Sequence, residues 1–161
     1  GPEKCAELLA TMHYDQAIDY KNEDMDEALN KLFPEGIDLY FDNVGGPLLD
    51  NVLGRLQRRA RIVICGAISE YLKAREDQHR FINLQNLGRQ DAKMEGFFVF
   101  DYEAQYPEDI ALLAQWVRKG QLNPVEDISK GIETLPDALG DLYFGRNTGV
   151  RMVHVGDPVQ R

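Results

Sequence analysis

Apolar residues at Cys5, Leu8, Leu9 and Met12 recur at i, i+3, i+4 and i+7. That spacing predicts an amphipathic helix whose first turn accepts Pro2. A short strand is expected over residues 16–20, centred on Ala17 and Ile18. Asn22 is placed to cap a second helix with Met25, Leu29, Leu32 and Phe33 on its inner side, stopped by Pro34. Residues 36–44 read as a strand ending in the turn Gly45-Gly46, and Pro47 opens a helix with Leu48, Leu49, Val52, Leu53 and Leu56 on one side. The apolar run 61–65 has the character of a strand covered on both faces.

From residue 66 to 80 the pattern dissolves into a polar segment, of the length that in compact domains is commonly functional or mobile. A short helix is expected at 81–87 and a strand at 94–100. Pro107 starts another helix with Ile110, Leu113, Ala114 and Val117 as its stripe and Gly120 past its end. The tail predicts an extended stretch at 126–132, a short helix from Pro136 and a strand at 150–155. Strands alternating with helices at this spacing specify an α/β chain with a mostly parallel sheet. The chain opens on a helix, with no strand and glycine-rich phosphate turn ahead of it, so it reads as a C-terminal piece of a longer protein.

Charge narrows the partners. Eighteen Lys and Arg against 27 Asp and Glu leave a formal net charge of −9 over 161 residues, which repels phosphate backbones and argues against nucleic acid as a partner. The cluster Arg55, Arg58, Arg59 and Arg61 reads as a solvated helix end, or as a small-anion contact. Two cysteines, Cys5 and Cys65, cannot build a disulfide framework and suit a reducing cytoplasm. No apolar run approaches the roughly 20 residues of a membrane helix. His13, His79 and His154 stand apart and neither cysteine has a ligand-spaced neighbour, so no metal site is expected.

In open parallel sheets, ligands sit beyond the carboxyl ends of the strands. Three strand ends carry unusual residues. In Phe41-Asp42-Asn43-Val44-Gly45-Gly46 the glycines permit close backbone approach to a ligand, or simply make a tight turn. Asn43 offers a donor and an acceptor to a ribose or carboxamide. In Cys65-Gly66-Ala67-Ile68-Ser69, followed by Tyr71, small residues leave room for a flat ring; Cys65 itself reads as a small buried hydrophobe, and Tyr71 as a proton donor or a surface residue. In Gly96-Phe97-Phe98-Val99-Phe100 the aromatics wall a ligand or pack in a core. The tail motif Gly145-Arg146-Asn147-Thr148-Gly149 is either a helix-ending turn or a loop that closes on a phosphate.

Taken in order, the motifs at 41–46, 65–69 and 145–149 resemble the zinc-independent medium-chain dehydrogenase/reductase superfamily, and within it the leukotriene hydroxydehydrogenase, prostaglandin reductase and curcumin-type double-bond reductase branch. The resemblance runs from Lys4 to Val155. It implies a partial Rossmann-type doubly wound parallel sheet lacking its first two strands, with residues 1–123 as an incomplete NADP-binding domain. Residues 124–161 would return to an absent catalytic domain. It implies NADPH-dependent reduction of the C=C bond in α,β-unsaturated ketones and aldehydes, with a quinone oxidoreductase or a non-catalytic interaction module as the alternatives and an inactive isolated fragment.

By the same resemblance Lys4 would meet the 2′-phosphate of NADP, with Tyr20 beside it. Asn43 and the backbone of Cys65, Gly66, Ala67 and Ile68 would line the cofactor. Phe98, Val99 and Phe100 would hold the nicotinamide end, and Asn147 would close over the phosphates. Tyr71 would hydrogen-bond the substrate carbonyl. Where the family usually carries Lys after the final glycine of the tail motif, this chain has Val150 and then Arg151. A homodimer is expected from the edges and apolar stripes that the missing strands would leave.

Overall fold

The computed structural model describes residues 1–156. The last five residues of the expected C-terminal segment lie outside the described residues. Contacts divide the chain into two compact units, Gly1–Glu103 and Ala104–Arg161.

The first unit begins with α1 (Pro2–Ala10), where Pro2 occupies the first turn, and α2 (Met25–Leu32). The cap of α2 is Asp24, two residues past the expected Asn22: its carboxylate accepts the Glu27 N–H at 2.9 Å. Asn22 instead donates its side-chain amide to Asp19 at 2.7 Å. The expected strand at 16–20 is not formed. With no strand paired to it among the described residues, the stretch is left without ladder hydrogen bonds.

The sheet of this unit contains β1 (Ile37–Asp42), β2 (Leu56–Ile64) and β3 (Lys93–Gly96), all parallel and in that order. α3 (Gly46–Leu53) connects β1 to β2, and α4 (Asn86–Arg89) precedes β3. One apolar cluster holds the unit together. Leu29 of α2 and Leu49, Val52 and Leu53 of α3 pack on Ile37, Leu56, Ala60 and Ile62 of the sheet. Leu56 therefore belongs to a strand and not to the helix stripe predicted from its spacing.

β2 starts five residues earlier than expected because a bulge intervenes. Ile37 pairs with Leu56, but Leu39 pairs with Arg61, and Arg59 takes a positive φ of 65° while donating its N–H to Gln90 at 2.7 Å. The arginine cluster thus sits on and just before a bulged strand, with Arg58 and Arg59 exposed beside Asp91. The strand is not covered on both faces either: Ile62 is buried, Arg61 and Cys65 are exposed, and Val63 and Ile64 lie between. The expected helix at 81–87 is the single turn of α4, and the strand expected at 94–100 stops at Gly96 before a 3₁₀ segment at Val99–Gln105.

The second unit contains α5 (Tyr106–Arg118), β4 (Glu126–Lys130), α6 (Leu135–Phe144) and β5 (Val150–His154). β4 and β5 pair in parallel from Glu126↔Val150 to Lys130↔His154, and α6 is the connection between them, packed against β5. The two extended stretches of the tail therefore share a helical partner, as a parallel pair requires a crossover. No helix among the described residues is long and apolar enough to cross a membrane.

Candidate functional site

The site is built at the carboxyl ends of β1 and β2, beginning with a buried carboxylate. Asp42, the last residue of β1, is 0 % exposed. Its Oδ1 accepts the Tyr40 hydroxyl at 3.0 Å and the N–H groups of Val44 at 2.9 Å and Gly45 at 3.0 Å; Oδ2 lies 3.1 Å from the same Gly45 N–H. This set of donors folds the chain sharply from the strand into α3. Burial and the adjacent Asp42 carboxylate push the Tyr40 hydroxyl well above its ordinary value.

A second turn lies against the first. Cys65 and Gly66 donate their N–H groups to the Asp42 carbonyl at 2.8 and 3.1 Å, Ile68 donates to Asn43 at 3.1 Å, and Ser69 to Val44 at 3.1 Å. The glycines are the consequence. Gly45 has φ 68°, and a Cβ there would come within 2.9 Å of the Ala67 Cβ; at Gly46, φ 58°, it would collide with Glu70 and with Ser69 Oγ. The close approach that these glycines permit is of one turn to the other, which fits the tight-turn alternative. Tyr71 completes the turn: its hydroxyl oxygen accepts the Ala67 N–H at 2.9 Å, so its own proton stays available to another acceptor.

Between the turns and the start of α3 opens a cavity of about 550 Å³. Gly45, Gly46, Gly66, Ala67, Glu70, Tyr71 and His79 are among its walls. Its size and its place at the ends of parallel strands suit a small organic ligand.

The polar segment 66–80 is ordered by two carboxylates that the sequence reading did not single out. Glu70 accepts Lys73 Nζ and the His79 N–H, both at 2.8 Å, and Ser69 Oγ at 3.1 Å. The Lys73 bond above all, then the His79 N–H, holds the Glu70 carboxyl below its usual range against the opposing effect of burial. Asp50 of α3 is 3 % exposed and accepts His79 Nε2 at 2.9 Å, the Asn83 N–H at 2.9 Å and the Ile82 N–H at 3.2 Å. Burial alone would raise its pKa, but the hydrogen bonds from His79, Asn83 and Ile82 together outweigh that and lower it. The available signal for Asp50 was a single carboxylate flanked by Leu49, Val52 and Leu53 in a helix whose only other polar side chain is Asn51. Glu70 carried no such contrast within its polar surroundings.

Of the expected site residues, Gly66, Ala67 and Tyr71 come together on the cavity, and Asn43, Cys65 and Ile68 adjoin it through the hydrogen bonds between the two turns. Cys65 is exposed, not a buried hydrophobe, because it stands where β2 leaves its neighbours. Phe97 donates its N–H to Ile64 at 2.8 Å, which brings the start of the aromatic stretch beside the same strand end. Phe98, Val99 and Phe100 do not pack in the core: all three are exposed, with the two phenylalanine rings 5.2 Å apart.

Lys4, on α1, and Tyr20 are elsewhere. Both are exposed, and Tyr20 lines a separate apolar cavity of about 310 Å³ with Met25, Leu29 and Tyr40.

In the second unit, Gly145 takes a left-handed conformation, φ 62°, and ends α6, so the tail motif is a helix-ending turn. The Asn147 side-chain amide donates to the Gly149 carbonyl at 2.7 Å. Arg151 reaches Asp127 and Asp141, and its Nε is buried without a hydrogen-bond partner among the described residues. No group of three or more His, Cys, Asp or Glu among the described residues is arranged to hold a metal ion.

Residues 1–115 match the family model described as zinc-binding dehydrogenase. Among curated proteins, (+)-pulegone reductase of Mentha piperita is 43 % identical over 155 residues, covering 95 % of this chain and 44 % of that protein. The NADP(+)-dependent 2-alkenal reductase of Nicotiana tabacum is 42 % identical over 155 residues, with the same coverage of 95 % and 44 %. The crystal structure of CurA from Vibrio vulnificus in complex with NADPH superposes with a TM-score of 0.86 at 37 % identity, over 98 % of this chain and 48 % of that one. The chain spans about half the length of the relatives it matches. With the strand-end turns, the parallel sheet and the family match over residues 1–115 in agreement, the chain belongs to the zinc-binding dehydrogenase family.

Proposed function

We propose that the protein carrying these residues reduces the C=C bond of α,β-unsaturated ketones or aldehydes with NADPH. The observation that carries the proposal is the cavity at the ends of β1 and β2, into which Tyr71 brings a hydroxyl whose proton is not committed. The names of the relatives, a pulegone reductase and a 2-alkenal reductase, and the NADPH complex of CurA support the same reading.

The residues present fit a nicotinamide and its ribose at this rim. Gly66 and Ala67 present little bulk, and the exposed Phe98, Val99 and Phe100 offer an apolar surface at the neighbouring strand end. Asn43 and the backbone of Cys65 and Ile68 would border the ribose. Lys4 and Tyr20, both exposed, would receive the 2′-phosphate.

When bound, NADPH supplies a hydride to the substrate's β-carbon. Tyr71 donates its hydroxyl proton in a hydrogen bond to the carbonyl oxygen, where negative charge builds as the enolate forms. The Ala67 N–H directed at the same phenolic oxygen withdraws charge from it and strengthens that donation.

We assign cofactor binding to residues 1–123. Residues 124–161 would belong to the catalytic part of the protein; β4 and β5 form a sheet that shares no strand with β1–β3, and the contacts set the boundary earlier, after Glu103. A cytoplasmic homodimer completes the proposal; the free thiols of Cys5 and Cys65 support the compartment, and the exposed apolar side chains the dimer.

The test uses the intact protein that carries this chain, with NADPH oxidation followed in the presence of an enone, an alkenal or a quinone. Reduction of the enone or alkenal is expected to exceed that of the quinone. Tyr71→Phe should lower kcat and kcat/KM together by about 100-fold, as loss of a transition-state donor does. Wild-type turnover by Tyr71→Phe would remove Tyr71 from the mechanism, and absence of enone and alkenal reduction would overturn the assignment.

A further inference from the structure

We infer that His79 is the positioning residue for Tyr71, tying the turn that carries it to the buried helix α3 through Glu70 and Asp50. The inference rests on the proposed role of Tyr71 as the donor to the substrate carbonyl.

Tyr71 is 63 % exposed and its neighbour Leu72 79 %, so apolar burial does not fix this stretch. Residues 66–80 contain no regular element beyond one 3₁₀ turn at Arg75–Asp77. Even so, the Tyr71 hydroxyl lies 2.9 Å from the Ala67 N–H. Polar bonds must supply the constraint.

Glu70, adjacent to Tyr71 in the chain, accepts the backbone N–H of His79 nine residues on. The His79 ring crosses to Asp50, 29 residues back, with Nε2 2.9 Å from Oδ2. Phe81 packs edge-on against that ring at 5.4 Å. Asp50 in turn lies between Leu49 and Val52 of α3, both in the core. His79 therefore joins both carboxylates, one by its backbone and one by its ring. Asp50 would remain bonded to Ile82 and Asn83 without the ring, but those residues lie beyond the far end of the segment. Removing the imidazole takes away the side-chain bond that holds the far end of this stretch to α3, and leaves the backbone bonds of Ile68 to Asn43 and of Ser69 to Val44 at its near end.

The experiment uses the intact protein and four variants: His79→Ala, His79→Gln, Tyr71→Phe and the double variant H79A/Y71F. The first readout is amide exchange at Ala67, whose N–H reports the Tyr71 bond directly and needs no turnover. Tyr71→Phe deletes the acceptor and sets the upper limit of exchange. His79→Ala should speed exchange by about ten-fold, and His79→Gln, which keeps an N–H donor toward Asp50, should stay within about two-fold of the parent.

The second readout is kcat in a double-mutant cycle. His79→Ala should cost about ten-fold in the parent and less than about two-fold when Tyr71 is already Phe, because a positioning residue has nothing left to position. Unchanged Ala67 exchange in His79→Ala, or equal loss of kcat in both backgrounds, overturns the inference. Should Tyr71→Phe leave kcat untouched, the donor role of Tyr71 fails, and the exchange measurement alone decides whether His79 holds the turn. If His79→Ala does not fold, Glu70→Ala breaks the same connection from its other end and must speed Ala67 exchange to a similar degree.

Discussion

Replacing Asp42 tests whether one carboxylate makes the turn on which the site depends. Three donors converge on Oδ1, from Tyr40, Val44 and Gly45, and one longer contact reaches Oδ2. Asp42→Ala removes every acceptor at once and leaves the Gly45 N–H, at a buried residue, with no partner. An unsatisfied buried donor costs about 1–3 kcal/mol, and bonds to a charged acceptor contribute about 1.5–3 kcal/mol each. The Val44 N–H and the Tyr40 hydroxyl are only partly buried and recover water, so the sum is discounted to about 3–5 kcal/mol.

Asp42→Asn is the informative contrast. An amide oxygen in place of Oδ1 keeps all three short bonds, while the charge is lost and the amide nitrogen at the Oδ2 position meets the Gly45 N–H donor to donor, a cost of about 1–3 kcal/mol. Urea unfolding of the intact protein followed by far-UV circular dichroism measures both. For a domain of this size the alanine variant should also melt about 8–15 °C lower. A cost below about 1 kcal/mol for Asp42→Ala, or equal costs for alanine and asparagine, would refute the reasoning.

Acidification should act through Asp50 and Glu70, whose pKa values lie below 3.8 and 4.5 in the folded chain. Such groups add stability above their unfolded pKa and lose it as pH falls through the folded one, so the urea midpoint should begin to drop as the pH falls below about 4.5. Asp50→Asn should flatten that slope, and an unchanged slope would show that Asp50 does not contribute to it. Gly46→Ala, at φ 58° and with Ser69 Oγ 2.6 Å from the added Cβ, should cost about 2 kcal/mol or more, whereas Gly88→Ala, in α4 with open space around it, should stabilise by about 0.4–1 kcal/mol, both by thermal melting. Arg151→Met, which leaves Asp127 and Asp141 without their shared cation while relieving the unbonded Nε, should destabilise the second unit by about 1–2 kcal/mol in urea; a stabilised variant would show that the ion pairs do not offset their desolvation.

Helix periodicity, proline and glycine placement, and the strand-end motifs were sufficient for the parallel α/β class, for α1, α3, α5 and α6, and for β1 and its turn at Gly45-Gly46. Those are local patterns: each depends on residues within about a dozen positions of one another, where propensity and turn chemistry act. What local pattern could not decide was whatever depended on a distant partner. Residues 16–20 have strand character yet pair with no strand among the described residues. Leu56 continues a helix stripe by spacing but is captured by Ile37 across the sheet. The phenylalanines at 98 and 100 alternate like a strand beyond the point where β3 has stopped pairing. The same reason explains the site. Tyr71 was visible as a residue following a motif, whereas the partners of its loop, Asp50 at 29 positions from His79 and Glu70 at nine, become neighbours only when α3 packs on the sheet. Hydrogen bonds between side chains are set by three-dimensional proximity, and a one-dimensional period carries no record of it.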